Sequence, residues 1–182
     1  TLLLTAAALA FAVCMVSGRP AVALEKDDIP ALLVQCQAGN AEACNAAAEF
    51  ILDNPSELGG LPNARTFYQM SCDRGNTSGC FNLGVMHSKG DGGPQNKTKA
   101  REYYDKACER GYASACFNVG AMHSTGIGGP VDKAAARVYY RKACDGDNLD
   151  ACFNLGVMHA GGIGGPVDKP RAFEFHRRAC DG

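Results

Sequence analysis

The sequence has almost no charge imbalance: 18 Lys and Arg stand against 19 Asp and Glu, a formal charge of -1. Without an excess of cations it offers no match for a phosphate backbone, so nucleic acid is not expected as a partner. Long apolar runs are equally scarce. One uncharged stretch, LLLTAAALAFAVCMV from Leu2 to Val16, holds 15 residues, short of the roughly 20 that a bilayer-spanning helix needs. No His-Glu-x-x-His sequence occurs, which removes the usual helical zinc site, and neither metal nor cofactor is expected.

That short apolar stretch reads instead as the core of a signal peptide. Ala21-Val22-Ala23 supplies the small-x-small pattern before a cleavage site, and the charged run Glu25-Lys26-Asp27-Asp28 follows. Residues 1–23 are therefore assigned to a signal peptide or hydrophobic targeting segment, residues 24–35 to a linker and cap, and residues 36–182 to a repeat domain. The mature chain is expected to carry no stable membrane span.

What is present in abundance is cysteine, ten residues in a chain of 182. They are periodic. Cys36, Cys72, Cys108, Cys144 and Cys180 follow one another at steps of 36, and Cys44, Cys80, Cys116 and Cys152 repeat with the same step. The surrounding text repeats as well: CFNLGVMHSKGDGGP from Cys80, CFNVGAMHSTGIGGP from Cys116 and CFNLGVMHAGGIGGP from Cys152. A fixed period of this length marks stacked supersecondary units.

Each unit predicts two helices, one around FNLGVMH and one such as KAREYYDKACERG, joined by a Gly-Gly-Pro turn. In the second helix Ala100, Tyr103, Tyr104 and Ala107 fall at helical spacing. Asn96, Asp132 and Asp168 stand where an N-cap belongs, and Gly111 where a helix should stop. One hairpin cannot bury its own apolar stripe, so neighbours must stack, giving an all-α solenoid of αα-hairpins. About four units fit, beginning near Cys44, Cys80, Cys116 and Cys152. The first is degenerate, as terminal repeats often are, and Cys180 has no partner eight positions on, so truncation at the C-terminus is expected.

Paired cysteines eight positions apart would link the end of one second helix to the start of the next first helix. The expected bridges are Cys36 with Cys44, Cys72 with Cys80, Cys108 with Cys116, and Cys144 with Cys152. Zinc is the competing reading, but structural zinc sites favour pairs about two to four residues apart. An even, regular set of this kind points to an oxidising compartment.

Two polar ladders are the candidate ligand contacts. Asn82, Asn118 and Asn154 lie on the first helices, and an amide with two donors and an acceptor suits an extended peptide backbone; hydrogen bonds between neighbouring repeats are the equal alternative. His87, His123 and His159 form the second, either as packed rings or as a strip that charges together near pH 6, where histidine ordinarily titrates. Tyr103, Tyr104, Tyr139, Tyr140, Phe81, Phe117 and Phe153 are expected in the core between repeats. The glycine pairs are turns, because they lack the strand and the lysine of a phosphate loop.

The spellings ACERGYASACFNVGAM and ACDGDNLDACFNLGVM, with the Gly-x-Gly-Gly turn, resemble the Sel-one-like repeat (SLR) family, which is related to tetratricopeptide repeats. The resemblance covers about residues 36 to 182 and is strongest to the cysteine-rich branch. It implies a right-handed, tetratricopeptide-like superhelix. Within that branch the sequence is similar to secreted cysteine-rich proteins of Helicobacter and to a mitochondrial intermembrane-space factor for cytochrome c oxidase assembly. It departs from the family at His87, His123 and His159, where an aromatic residue is usual.

The resemblance implies three functions. The first is a disulfide-stapled scaffold, secreted or periplasmic and monomeric, that binds a protein or peptide segment on its concave face. The second is a penicillin-binding or β-lactamase-type hydrolase. No serine stands three positions before a lysine, and neither Ser-Asp-Asn nor Lys-Thr-Gly occurs, so the residues supply no acylating machinery for it and no catalytic residue is assigned. The third is an intermembrane-space assembly factor.

Overall fold

A computed structural model describes residues 28–181. Among them the chain forms nine α-helices and no strand. These are α1 (Ile29–Gln37), α2 (Ala41–Asp53), α3 (Leu61–Asp73), α4 (Thr77–Lys89), α5 (Lys97–Glu109), α6 (Ala113–Thr125), α7 (Lys133–Asp145), α8 (Leu149–Gly161) and α9 (Lys169–Asp181). The proposed signal peptide lies outside the described residues.

Helices α2 to α9 are each 13 residues long. They form four antiparallel hairpins, α2–α3, α4–α5, α6–α7 and α8–α9. Each helix packs chiefly on its neighbours in sequence, which is the one-dimensional contact pattern of a repeat solenoid. Helix α1 covers the first hairpin through a small cluster in which Cys36, Ala43 and Cys44 are buried against Leu32, Phe67 and Met70.

Polar side chains fix where the helices begin. Asn96, Asp132 and Asp168 accept from the backbone N–H groups of Lys99, Ala135 and Arg171 at 2.9–3.0 Å. Three of the four first helices, α2, α4 and α8, are capped in the same way by Asn40, Asn76 and Asn148. Each such bond satisfies a helix N–H that has no partner within the helix, a contribution of about 1 kcal/mol. At the other end Gly90, Gly126 and Gly162 take the left-handed conformation, with φ of 89°, 78° and 66°, and close the first helices as glycine does best.

The core is built from small and medium side chains on one stripe of each helix. Cys80, Leu83 and Met86 of α4 are buried, as are Cys116, Val119 and Met122 of α6 and Cys152, Leu155 and Met158 of α8. Against them lie Ala100, Tyr104 and Ala107 of α5, and Ala136, Tyr140 and Ala143 of α7. A Cβ on Gly84 would stand 2.7 Å from the Tyr104 ring, and one on Gly120 would stand 2.9 Å from the Tyr140 ring. The mid-helix glycine costs helix propensity and gains room for a buried aromatic ring.

Disulfides join Cys36 to Cys44, Cys72 to Cys80, Cys108 to Cys116 and Cys144 to Cys152, with Cα atoms 4.7, 4.4, 4.6 and 4.7 Å apart. Each one ties a helix to the start of the next hairpin. Cys180 is exposed and unbridged. The bridged sulfurs are buried, and arginines cover them: Arg74 Nη1 lies 3.0 Å from Cys44 Sγ and Arg110 Nη1 lies 2.8 Å from Cys80 Sγ.

Candidate binding clefts

The turn between the two helices of a hairpin folds back onto the preceding hairpin. Gly92, Gly128 and Gly164 each have positive φ, and a Cβ there would strike the carbonyl of Leu61, Lys97 or Lys133 in the previous second helix. The following glycines, Gly93, Gly129 and Gly165, lie against the guanidinium groups of Arg65, Arg101 and Arg137. These arginines recur every 36 residues. They form a third ladder.

The arginine ladder organises the histidine ladder. Arg65 Nη2 donates to His87 Nδ1 and to the Pro94 carbonyl, and Arg137 Nη2 likewise donates to His159 Nδ1 and to the Pro166 carbonyl. On its other side the His87 ring stacks on Tyr103 with centroids 5.2 Å apart, and His123 stacks on Tyr139 at 5.4 Å. His159 packs on Phe175 at 5.3 Å. The imidazole therefore sits between a guanidinium from the preceding repeat and an aromatic ring of its own hairpin. In the middle unit Arg101 Nη1 and His123 Nδ1 are buried without a hydrogen-bond partner among the described residues.

A guanidinium can only donate, so the imidazole nitrogen facing it must be unprotonated. Burial, with Arg65 and Lys99 adding repulsion, pushes the His87 pKa down to about 4. Burial first, and then Arg101 or Arg137, lowers those of His123 and His159 as well. Of the two readings of these histidines, the packed ring is the one this geometry supports, since each imidazole lies on an aromatic ring and burial lowers its affinity for a proton.

Above these stacks open clefts on the side of the second helices. The first holds about 550 Å³ and runs from Pro62 and Arg65 on α3, past His87 and Pro94, to Lys99 and Tyr103 on α5. The third, about 400 Å³, repeats it with Arg137 and Arg141 on α7, His159 on α8 and Arg171 on α9. The middle one is smaller, about 240 Å³, and is bordered by Glu102 and Asp105 as well as by Arg101 and His123. Tyr103 and Tyr139 brace the row by donating their hydroxyls to Gln69 and Asp105, each at 2.6 Å.

The asparagine ladder lies elsewhere. Asn82 and His87 are five residues apart, about 140° around a helix, so the two ladders do not meet in one site. Asn82, Asn118 and Asn154 are half-buried. Asn82 lies beside the Tyr68 hydroxyl of the preceding hairpin, which is buried without a hydrogen bond of ordinary geometry among the described residues. Of the aromatics, Tyr104 and Tyr140 are in the core as expected, whereas Tyr103 and Tyr139 line clefts and Phe153 is 55% exposed.

The sequence matches the Sel1 repeat family over residues 77–112, 113–148 and 149–182. The chain belongs to that family, and these three matches are the hairpins α4–α5, α6–α7 and α8–α9. None of the curated proteins matches it. Among solved structures it is similar to a protective antigen of uropathogenic Escherichia coli with an SLR fold (TM-score 0.77, 25% identity over 84% of this chain and 33% of that one). It is also similar to a Sel1 repeat protein from Oxalobacter formigenes (TM-score 0.79, 24% identity, 86% of this chain and 64% of that one). A third relative is cysteine rich protein B of Helicobacter pylori (TM-score 0.55, 24% identity, 70% of this chain and 91% of that one). The chain thus spans a third of the first of these proteins and less than two thirds of the second.

Proposed function

We propose that the chain is a disulfide-stapled scaffold that holds an extended peptide or protein segment along its first helices, in an oxidising compartment such as the periplasm or the extracellular space. The observation that carries this reading is the asparagine row. Asn118 and Asn154 are half-buried and make no hydrogen bond to any described residue, and none of their amide atoms is sealed from water. Their donors and acceptors remain free, one set per repeat, at a fixed step. Four covalent staples hold the step rigid, so binding need not order the scaffold, and preorganisation of this kind raises affinity. The buried bridges and the cysteine-rich relative support the compartment, since such bonds persist where thiols are oxidised.

Selection of random peptides against the folded chain tests the reading. Peptides enriched on the wild-type chain should bind roughly tenfold more weakly to the Asn118→Ala, Asn154→Ala double variant, the loss of one or two hydrogen bonds, while its melting temperature stays unchanged. Equal binding to both chains would remove the asparagine row as the contact surface.

A further inference from the structure

The α3–α5 cleft concentrates cations with no counter-charge. Arg65 enters it from α3 and Lys99 from α5, and none of the described residues that line it is acidic. The ion pairs of Arg171 with Asp168 and of Arg178 with Asp145 involve neither cation. Arg65 spends one amino group on His87 and the Pro94 carbonyl, and these neutral partners leave its charge uncompensated. Lys99 is exposed, and its ammonium has no partner among the described residues.

The walls are of a different kind. Pro62, Pro94 and the Tyr103 ring give the cleft apolar sides, and its volume of about 550 Å³ is far larger than a bare ion requires. The tyrosine is held in place by its bond to Gln69. A cleft with a cationic floor and mouth and apolar sides suits an anion on a hydrocarbon stem.

The geometry points to a carboxylate-binding site in the α3–α5 cleft, which takes an acidic side chain presented by a protein segment between Arg65 and Lys99. Both Nη2 protons of Arg65 are spent on His87 and Pro94, so the guanidinium offers a carboxylate its charge and a single remaining donor on either edge, while Lys99 adds a mobile point charge. The middle cleft, with Glu102 and Asp105 on its border, repels such a group. The site is thus confined to particular repeats even though the backbone repeats everywhere. The inference goes beyond the asparagine row and rests on the proposed function only in taking the carboxylate from a protein segment.

The test is an NMR titration of the whole chain at low salt with four probes. Glutarate and a glutamate-containing peptide capped at both ends should shift the resonances of His87 and Lys99, and raised salt should weaken both. Glutaramide and the matching glutamine peptide should leave the resonances in place. Lys99→Gln changes an exposed residue and should weaken glutarate about threefold, as loss of a surface ion pair does. Arg65→Gln should weaken it about tenfold, as loss of a charge-assisted bond does. No shift with glutarate, or equal affinity in Lys99→Gln, overturns the site. Binding of glutarate without the peptide overturns the protein segment as its source, and tighter binding of inorganic phosphate overturns the carboxylate. Because glutarate involves no peptide contact with Asn118 or Asn154, failure here is separable from failure of the asparagine row.

Discussion

His87 accepts from a guanidinium at one nitrogen and is stacked on Tyr103 through its ring face, an arrangement available only to the neutral imidazole. Its pKa is lowered from 6.5 to about 4, so below pH 6.5 the unfolded chain takes up a proton that the folded chain refuses. Stability contributed by this group is complete above the ordinary histidine value and drains away as pH falls toward 4. The melting temperature should therefore fall across that window. In His87→Phe, which keeps a ring on Tyr103, the fall should be shallower, and identical pH profiles for the two chains would refute the coupling. The same sign applies to His123 and His159, whose values are also lowered.

At the scale of the element, a helix here is defined by what it lets its partner bury. Gly120 sits in the middle of α6 with the Tyr140 ring against it. Replacing it by alanine would gain roughly 1 kcal/mol of helix propensity. It would also press a methyl group into the buried Tyr140 ring, at a cost of about 1–3 kcal/mol. Packing should win, so Gly120→Ala should lower stability in denaturant titration, despite being a favourable change in an isolated helix. Much of this level was legible beforehand. The caps at Asn96, Asp132 and Asp168 and the hairpin period follow from local residue chemistry. The arginine ladder at 65, 101 and 137 was missed, although it keeps the same step as the cysteines. Its role depends on the Gly-Gly-Pro turn folding back over the previous hairpin, a contact between segments about 29 residues apart. Tyr103 and Tyr104 show the same limit, since adjacent residues face directions about 100° apart and only the packing tells which one is core.

For the whole molecule, the staples weigh heavily in the balance of stability. A bridge that closes a loop of this length contributes about 2–3 kcal/mol through the entropy of the unfolded chain. Four of them together, about 8–12 kcal/mol, rival the net stability of a domain, which is typically about 5–15 kcal/mol. A chain reduced and alkylated in denaturant should therefore regain little of its helical circular dichroism on dilution into buffer, whereas the oxidised chain should regain it. Recovery of the full signal by the reduced chain would show that hairpin stacking suffices.

The bridges also change what a cut in the backbone means. Arg74 and Arg110 are exposed residues of the short connections between hairpins, where a trypsin-like protease would find its substrate. Yet Arg74 lies between Cys72 and Cys80, and Arg110 between Cys108 and Cys116. At each junction the chain is continuous twice over, once through peptide bonds and once through sulfur. A single scission there opens a ring instead of severing the molecule, and the two halves stay joined until a reductant reaches the buried bond.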